Sequence, residues 1–278
     1  MSHLASRLAK TLLAVAVSAV ALSPAAHAAP ASAALPGSVE AAASTWTGTF
    51  SGFPSSSWRD AWGVDGSGEF GFGNMKASGA TLDVKYGKGS SAPSCTNCPT
   101  SGGGQFYQNL AKNGHSDLTG ATTLYLKYDV RFPSGFDFGL GGKLPGLYGG
   151  NTGEASGGNH GQAWSTRFMF RNGSKGEVYV YTPTDDGYGK DIGLGSWNFS
   201  PDGSTHTIQQ SVNRSTGQIT VWYDGEQVLS SKSAPGISGI KFKGVFFSTF
   251  FGGHDTSWGP KKEVHSYFSN FAISTSKL

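Results

Sequence analysis

Charge is scarce in this chain: Asp, Glu, Lys and Arg make up 14% of 278 residues. The 21 basic and 18 acidic residues nearly cancel, and Lys and Arg cluster only modestly. That excludes the basic footprint of a nucleic-acid binder. Cysteine is almost missing. Cys95 and Cys98, in Cys-Thr-Asn-Cys, are the only two. A structural zinc site needs a second ligand pair, and no nearby His/Cys set supplies one, so no metal site is expected. A redox motif would want a thioredoxin-like βαβ context, which is also missing. No helical hydrophobic period of useful length occurs, and there is no internal repeat. No apolar run reaches the roughly 20 residues needed to span a bilayer.

The present features point to a secreted, turn-rich, all-β protein. Residues 1–28 have the layout of a secretory signal: Arg7 and Lys10, an apolar run from Thr11 to Leu22, then Ala26-His27-Ala28. Residues 29–44 form an Ala/Ser/Pro-rich leader, read as disordered. Residues 45–278 make one domain. Removing the signal deletes two basic and no acidic residues, leaving a net charge near +1 (19 against 18). In the oxidising compartment that a signal implies, Cys95 and Cys98 are expected to form a local disulfide. Forty-two glycines and 13% aromatics accompany many short strand-like runs, which indicates an antiparallel two-sheet sandwich or β-jelly roll. The clearest run is Thr122 to Phe132, with Leu124, Leu126, Tyr128, Val130 and Phe132 on one side. Residues 53–73 read as non-helical, 182–196 as a loop, and Ile240 to Phe251 as a buried central strand.

Residues 141–181 carry most of the functional signal. They begin with Gly141-Gly142-Lys143-Leu144-Pro145-Gly146-Leu147-Tyr148-Gly149-Gly150, read as a glycine-framed loop. Two alternating runs follow, 163–171 and 177–181. By the two-residue period of a strand, Trp164, Thr166, Phe168 and Phe170 face one way, and Ser165, Arg167, Met169 and Arg171 the other. In the second run Val178 and Val180 oppose Glu177, Tyr179 and Tyr181. Five residues, Asn172 to Gly176, join the runs at hairpin length. If the core faces agree, Ser165, Arg167, Tyr179 and Tyr181 share one surface that Lys143 can reach. Cations and phenols with few carboxylates suit an acidic ligand.

The decapeptide 141–150, the Ser-x-Arg pair at 165 and 167, and the Tyr-x-Tyr pair at 179 and 181 resemble the family 14 alginate/glucuronate polysaccharide lyases and the related glucuronan lyases. Order and spacing match those of the family. The resemblance implies a secreted β-jelly-roll enzyme and assigns functional roles to Lys143, Ser165, Arg167, Tyr179 and Tyr181. It extends, more loosely, from about Trp46 onward.

Such a lyase cuts a polyuronate (alginate or β-1,4-glucuronan) by β-elimination. The C6 carboxylate must be neutralised before the C5 proton can leave. Arg167 suits that by bidentate pairing and Lys143 as a mobile point charge. A phenol, with an ordinary pKa of ~10, needs nearby cations to serve as base, so Tyr179 or Tyr181 is expected to shuttle the proton. Ser165 is read as a hydroxyl donor to substrate. His160, in the Gly-rich link before Ser165, is either a further substrate contact or a surface histidine. Two alternatives stand beside the lyase. A jelly-roll glycoside hydrolase needs two carboxylates astride the bond, and the Glu-x-Asp-x-Glu strand pattern is missing. A non-catalytic carbohydrate-binding module would use the aromatics as platforms. The remaining expectations are an acidic polysaccharide as partner, no nucleic acid, no membrane after signal cleavage and a monomer. No cofactor is required. Structural calcium is not indicated, because the Asp185-Asp186-Gly187 segment reads as a turn.

Overall fold

Strand alternation in the sequence becomes two packed sheets. The computed structural model describes residues 43–99, 101–154, 156, 161–185 and 187–278. The signal segment, most of the leader, and His160 and Asp186 lie outside the described residues. In chain order the elements are β1 (Thr45–Gly48), α1 (Ser56–Trp62), β2 (Met75–Ser78), β3 (Thr81–Tyr86), β4 (Gly104–Tyr107), α2 (Ser116–Thr119), β5 (Thr123–Arg131), β6 (Gly141–Gly150) and β7 (Ala163–Arg171). There follow β8 (Lys175–Tyr181), β9 (Lys190–Asn198), β10 (Thr205–Asn213), β11 (Gln218–Tyr223), β12 (Glu226–Lys232), β13 (Phe242–Phe251) and β14 (Val264–Ser274). One sheet runs β12-β11-β10-β5-β14-β3-β2, with β1 also on β14; the other runs β4-β13-β6-β7-β8-β9. Every pairing is antiparallel, as in a jelly roll. Thr45 lies opposite Ser274.

The core fills the space between the sheets. Leu124, Leu126, Tyr128, Val130 and Phe132 all point into it, as their alternation requires. Phe106 stacks on Phe247 at 4.7 Å, and Tyr128 on Phe271 at 4.7 Å. Two polar links cross this apolar layer. The Tyr128 hydroxyl donates to the Pro145 carbonyl at 3.1 Å. Thr166 Oγ1 donates to Gln210 Oε1 at 2.6 Å, and Gln210 Nε2 donates back to the Thr166 carbonyl at 2.9 Å. A buried polar group without a partner is costly, and each of these groups finds one on the opposite sheet.

Three elements differ from the sequence reading. The glycine-framed segment is a strand, β6, paired on both sides with β7 and β13. Its alternation is broken by a bulge between Leu144 and Gly146, so Leu144 and Leu147, three apart, both face the core. A bulge is also what permits Pro145 inside a central strand, since its missing N–H is not needed there. Residues 56–62 are helical. Ser55 caps the helix through its side chain on Trp58 N, Gly63 ends it at φ 60°, and Trp58 and Trp62 bury one face. The loop reading of 182–196 is replaced from Lys190 onward by β9, an edge strand. Its Gly193 and Gly195 adopt positive φ and hide the alternation.

At Gly146 the strands approach so closely that an added Cβ would sit 2.2 Å from the Thr166 carbonyl oxygen and 2.5 Å from Arg167 Cα. Both are backbone atoms and cannot swing aside. Gly146→Ala is therefore expected to cost about 3 kcal/mol or more, read as a fall in the urea midpoint at unchanged m-value.

Candidate active site

The alternation that sends Trp164, Phe168 and Phe170 inward sends Ser165, Arg167, Met169 and Arg171 to the outer face of the six-stranded sheet. Register then builds rows across β6, β7 and β8. Ser165 lies between Tyr148 and Tyr181, Arg167 between Gly146 and Tyr179, and Met169 between Lys143 and Glu177. The five residues singled out from the sequence thus share one face; four of them, Lys143, Arg167, Tyr179 and Tyr181, line a groove of about 360 Å³, and Ser165 is buried beside them, opposite Tyr181. His160 is outside the described residues. Gln105, Phe250, His254, Trp258 and exposed Tyr188 complete the walls, with Ala92 to Ser94 just before the Cys95–Cys98 disulfide.

Arg167 is only 2% exposed. Its Nη1 donates to Ser248 Oγ at 3.1 Å. Its guanidinium lies 4.3 Å from the Phe246 ring centre and 5.5 Å from that of Tyr181. Its Nε has no hydrogen-bond partner among the described residues. Phe246 is itself backed by Tyr107, stacked at 4.1 Å. Aromatic faces give a desolvated cation partial compensation, yet no ion pair to Arg167 or Lys143 occurs among the described residues.

Lys143 Nζ sits 3.0 Å from the centre of the Tyr179 ring and donates to Met169 Sδ at 2.7 Å. Burial pushes its pKa well below the ordinary lysine value, and the positive charges of Arg167 and Arg171 push the same way; Glu177 and Asp191 oppose them. Tyr179 behaves differently from the sequence expectation. Burial holds Tyr179 well above the ordinary phenol value; the adjacent Tyr181 and Asp191 add to this, and Arg171 opposes it. The nearby cations therefore do not make Tyr179 a phenolate. The two tyrosine rings meet edge to face at 5.3 Å.

A second layer stands behind these groups. Glu177 is fully buried. Its Oε1 accepts from Arg171 Nε at 2.8 Å, and Arg171 Nη2 also reaches Asp191 at 2.6 Å. None of the described groove-lining residues is an acid. Asp185 is engaged by the protein itself, accepting from Thr182 N at 2.7 Å and pairing with Lys190 at 2.7 Å. The sequence reading missed Ser248 and Phe246, which lie in an almost wholly apolar run; Ser248-Thr249 within it was the available signal. Trp258 and His254 sit in loops without a pattern.

A family model, polysaccharide lyase 14, matches residues 74–271. The chain belongs to polysaccharide lyase family 14. No curated protein matches the lyase. Among solved structures it is similar to the marine family 14 alginate lyase from Aplysia kurodai: 28% identity and TM-score 0.66, covering 82% of this chain and 97% of that one. An alginate lyase from a Chlorella virus shares the fold at 21% identity and TM-score 0.56, over 76% of this chain and 92% of that one. The lyase is therefore an enzyme with a polysaccharide substrate.

Burial raises the Glu177 carboxyl from its ordinary 4.5 to about 7, against the opposing pull of Arg171. The folded lyase then holds this proton more tightly than the unfolded chain does. The resulting stability is complete below pH 4.5 and is lost as pH rises through about 7. Urea unfolding at a series of pH values should show this decline, and Glu177→Gln should flatten it in that window.

Proposed function

We propose that this lyase cleaves a polyuronate by β-elimination, with alginate the leading substrate and β-1,4-glucuronan the second. The observation that carries this reading is Arg167: a buried cation facing a groove, with one N–H unpaired and no carboxylate partner among the described residues. A uronate C6 carboxylate supplies the missing charge, and its binding makes the C5 proton removable. Glycoside hydrolysis needs two carboxylates at the bond, and the described groove lining offers none. The similarity to the Aplysia kurodai alginate lyase supports the choice of alginate.

The groups divide the work by their protonation. Lys143, whose amine is easily held neutral, takes the C5 proton. The C5–H electron pair forms the C4=C5 double bond, the C4–O4 bond breaks, and O4 receives a proton. Tyr179, which keeps its own proton, and Tyr181 stand beside Lys143 as donors to O4. Arg167 holds the sugar, and Ser165, buried behind the groove opposite Tyr181, supports that row. This reverses the sequence expectation in which a phenol is the base and Lys143 only a charge. Apart from the lysine amine and tyrosine hydroxyls, the step calls on no cofactor. The signal at residues 1–28 and the disulfide both suit a secreted enzyme.

Purified protein incubated with alginate, glucuronan, pectate and hyaluronan is expected to release product absorbing in the near ultraviolet on at least the first or second. Reducing ends without that absorbance would mean a hydrolase. Lys143→Ala should lower kcat by about 10²-fold or more, with partial rescue by added small primary amines. Arg167→Lys should be costly although the charge is kept, because the fork geometry is lost. Activity should rise with pH through the ionisation of Lys143 and level off well below the ordinary lysine value. A profile still climbing at the ordinary phenol value would return the base role to a tyrosine.

A further inference from the structure

The rows that form the groove do not stop at Lys143. Along β7 the next outward residue is Arg171, opposite Gly141, and Arg171 is still part of the groove lining. One residue further, Asn172 lines a second and larger hollow of about 1030 Å³. Residues adjacent in sequence line the two hollows at a second place as well. Trp258 lines the first, while its neighbours Ser257 and Gly259 line the second. The disulfide loop contributes to both, with Ser94 lining the first and Pro99 the second. At a strand rise of ~3.3 Å, Asn172 lies about 17 Å along β7 from Arg167, beyond a sugar seated at the Arg167–Tyr179 row.

The chemistry of the second hollow continues that of the first. Lys88 and Lys261, both exposed, stand on its rim. Leu140, 42% exposed, and Pro99 offer apolar faces of the kind sugar rings cover. The one acid in the lining, Asp137, is occupied. Its Oδ1 accepts from Gly139 N at 3.0 Å and its Oδ2 from Lys261 N at 2.6 Å. Its carboxylate thus ties two loops together, and Lys88 and Lys261 are the cations on the hollow's rim.

We propose that the hollow between Lys88 and Lys261 is a distal subsite for further uronate residues of the chain being cut, so that the lyase binds long polyuronates across both hollows. This rests on the polyuronate reading above. A polymer with one carboxylate per sugar meets a cation at the Arg167 row and again at the lysine rim. A short oligomer fills only the first hollow.

The test compares the full-length lyase with Lys88→Ala, Lys261→Ala and the double variant on polymer and on trisaccharide of the polyuronate it turns over. Thermal unfolding serves as a folding control, since both side chains are exposed. For the double variant the ratio of polymer to trisaccharide kcat/KM should fall by about tenfold, with KM carrying the loss. In the wild type this polymer advantage should shrink as salt is raised, because rim charges are screened. A ratio unchanged in the double variant, or equal losses on both substrates, overturns the subsite while leaving the polyuronate reading intact. A wild type that forms no unsaturated product from any polyuronate takes both down.

Discussion

The site depends on keeping two basic side chains buried with no carboxylate against either among the described residues. Removing a charge from water costs several kcal/mol even after relaxation. A stabilising ion pair would repay that cost, but it would also fill the place the substrate must take. Arg167 is held instead by weaker means: one hydroxyl, from Ser248, and the faces of Phe246 and Tyr181. Lys143 has a thioether and an aromatic face. The nearest acids lie one step back. Glu177 and Asp191 are both taken up by Arg171, so they temper the field without neutralising the groove.

The scaffold supports this arrangement through its two-sided strands. On β7 the inward residues belong to the aromatic core and the outward ones to the groove, so site and core share one backbone. The bulge at Pro145 sets where Lys143 falls relative to Met169 and Phe250. Such an irregularity leaves a carbonyl without its ladder partner. Tyr128, from the opposite sheet, donates to the Pro145 carbonyl, while Gln210 does the same for Thr166 on the neighbouring strand. The placement of Lys143 is thus fixed from the far side of the core.

How much of this the sequence disclosed followed from regularity. β7 and β8 alternate cleanly, so their faces and the outward grouping of Ser165, Arg167, Tyr179 and Tyr181 were readable. β6 reads as a loop because the bulge places Leu144 and Leu147 on the same side, and glycines blur the rest. The helix at 56–62 had a visible Ser cap, Trp58 and Trp62 four apart and a closing Gly63; it was overlooked among surrounding Gly and Ser. The protonation of Tyr179 and Lys143 was not readable. It depends on burial, and groove walls such as Phe250 and Trp258 come from segments roughly a hundred residues distant. Neighbouring cations are visible in a sequence, but depth is not.

The pairing of Thr45 with Ser274 has a topological consequence. Partners in an antiparallel ladder stand about 5 Å apart, so a short peptide could join this end of β1 to this end of β14 and close the domain into a ring. The exposed turn at Asp224-Gly225, between β11 and β12 on the sheet away from the groove, then becomes a natural point to reopen it. A circularly permuted chain of that design would keep every strand of the six-stranded sheet uninterrupted. The order in which the strands are synthesised is therefore separable from the arrangement they adopt.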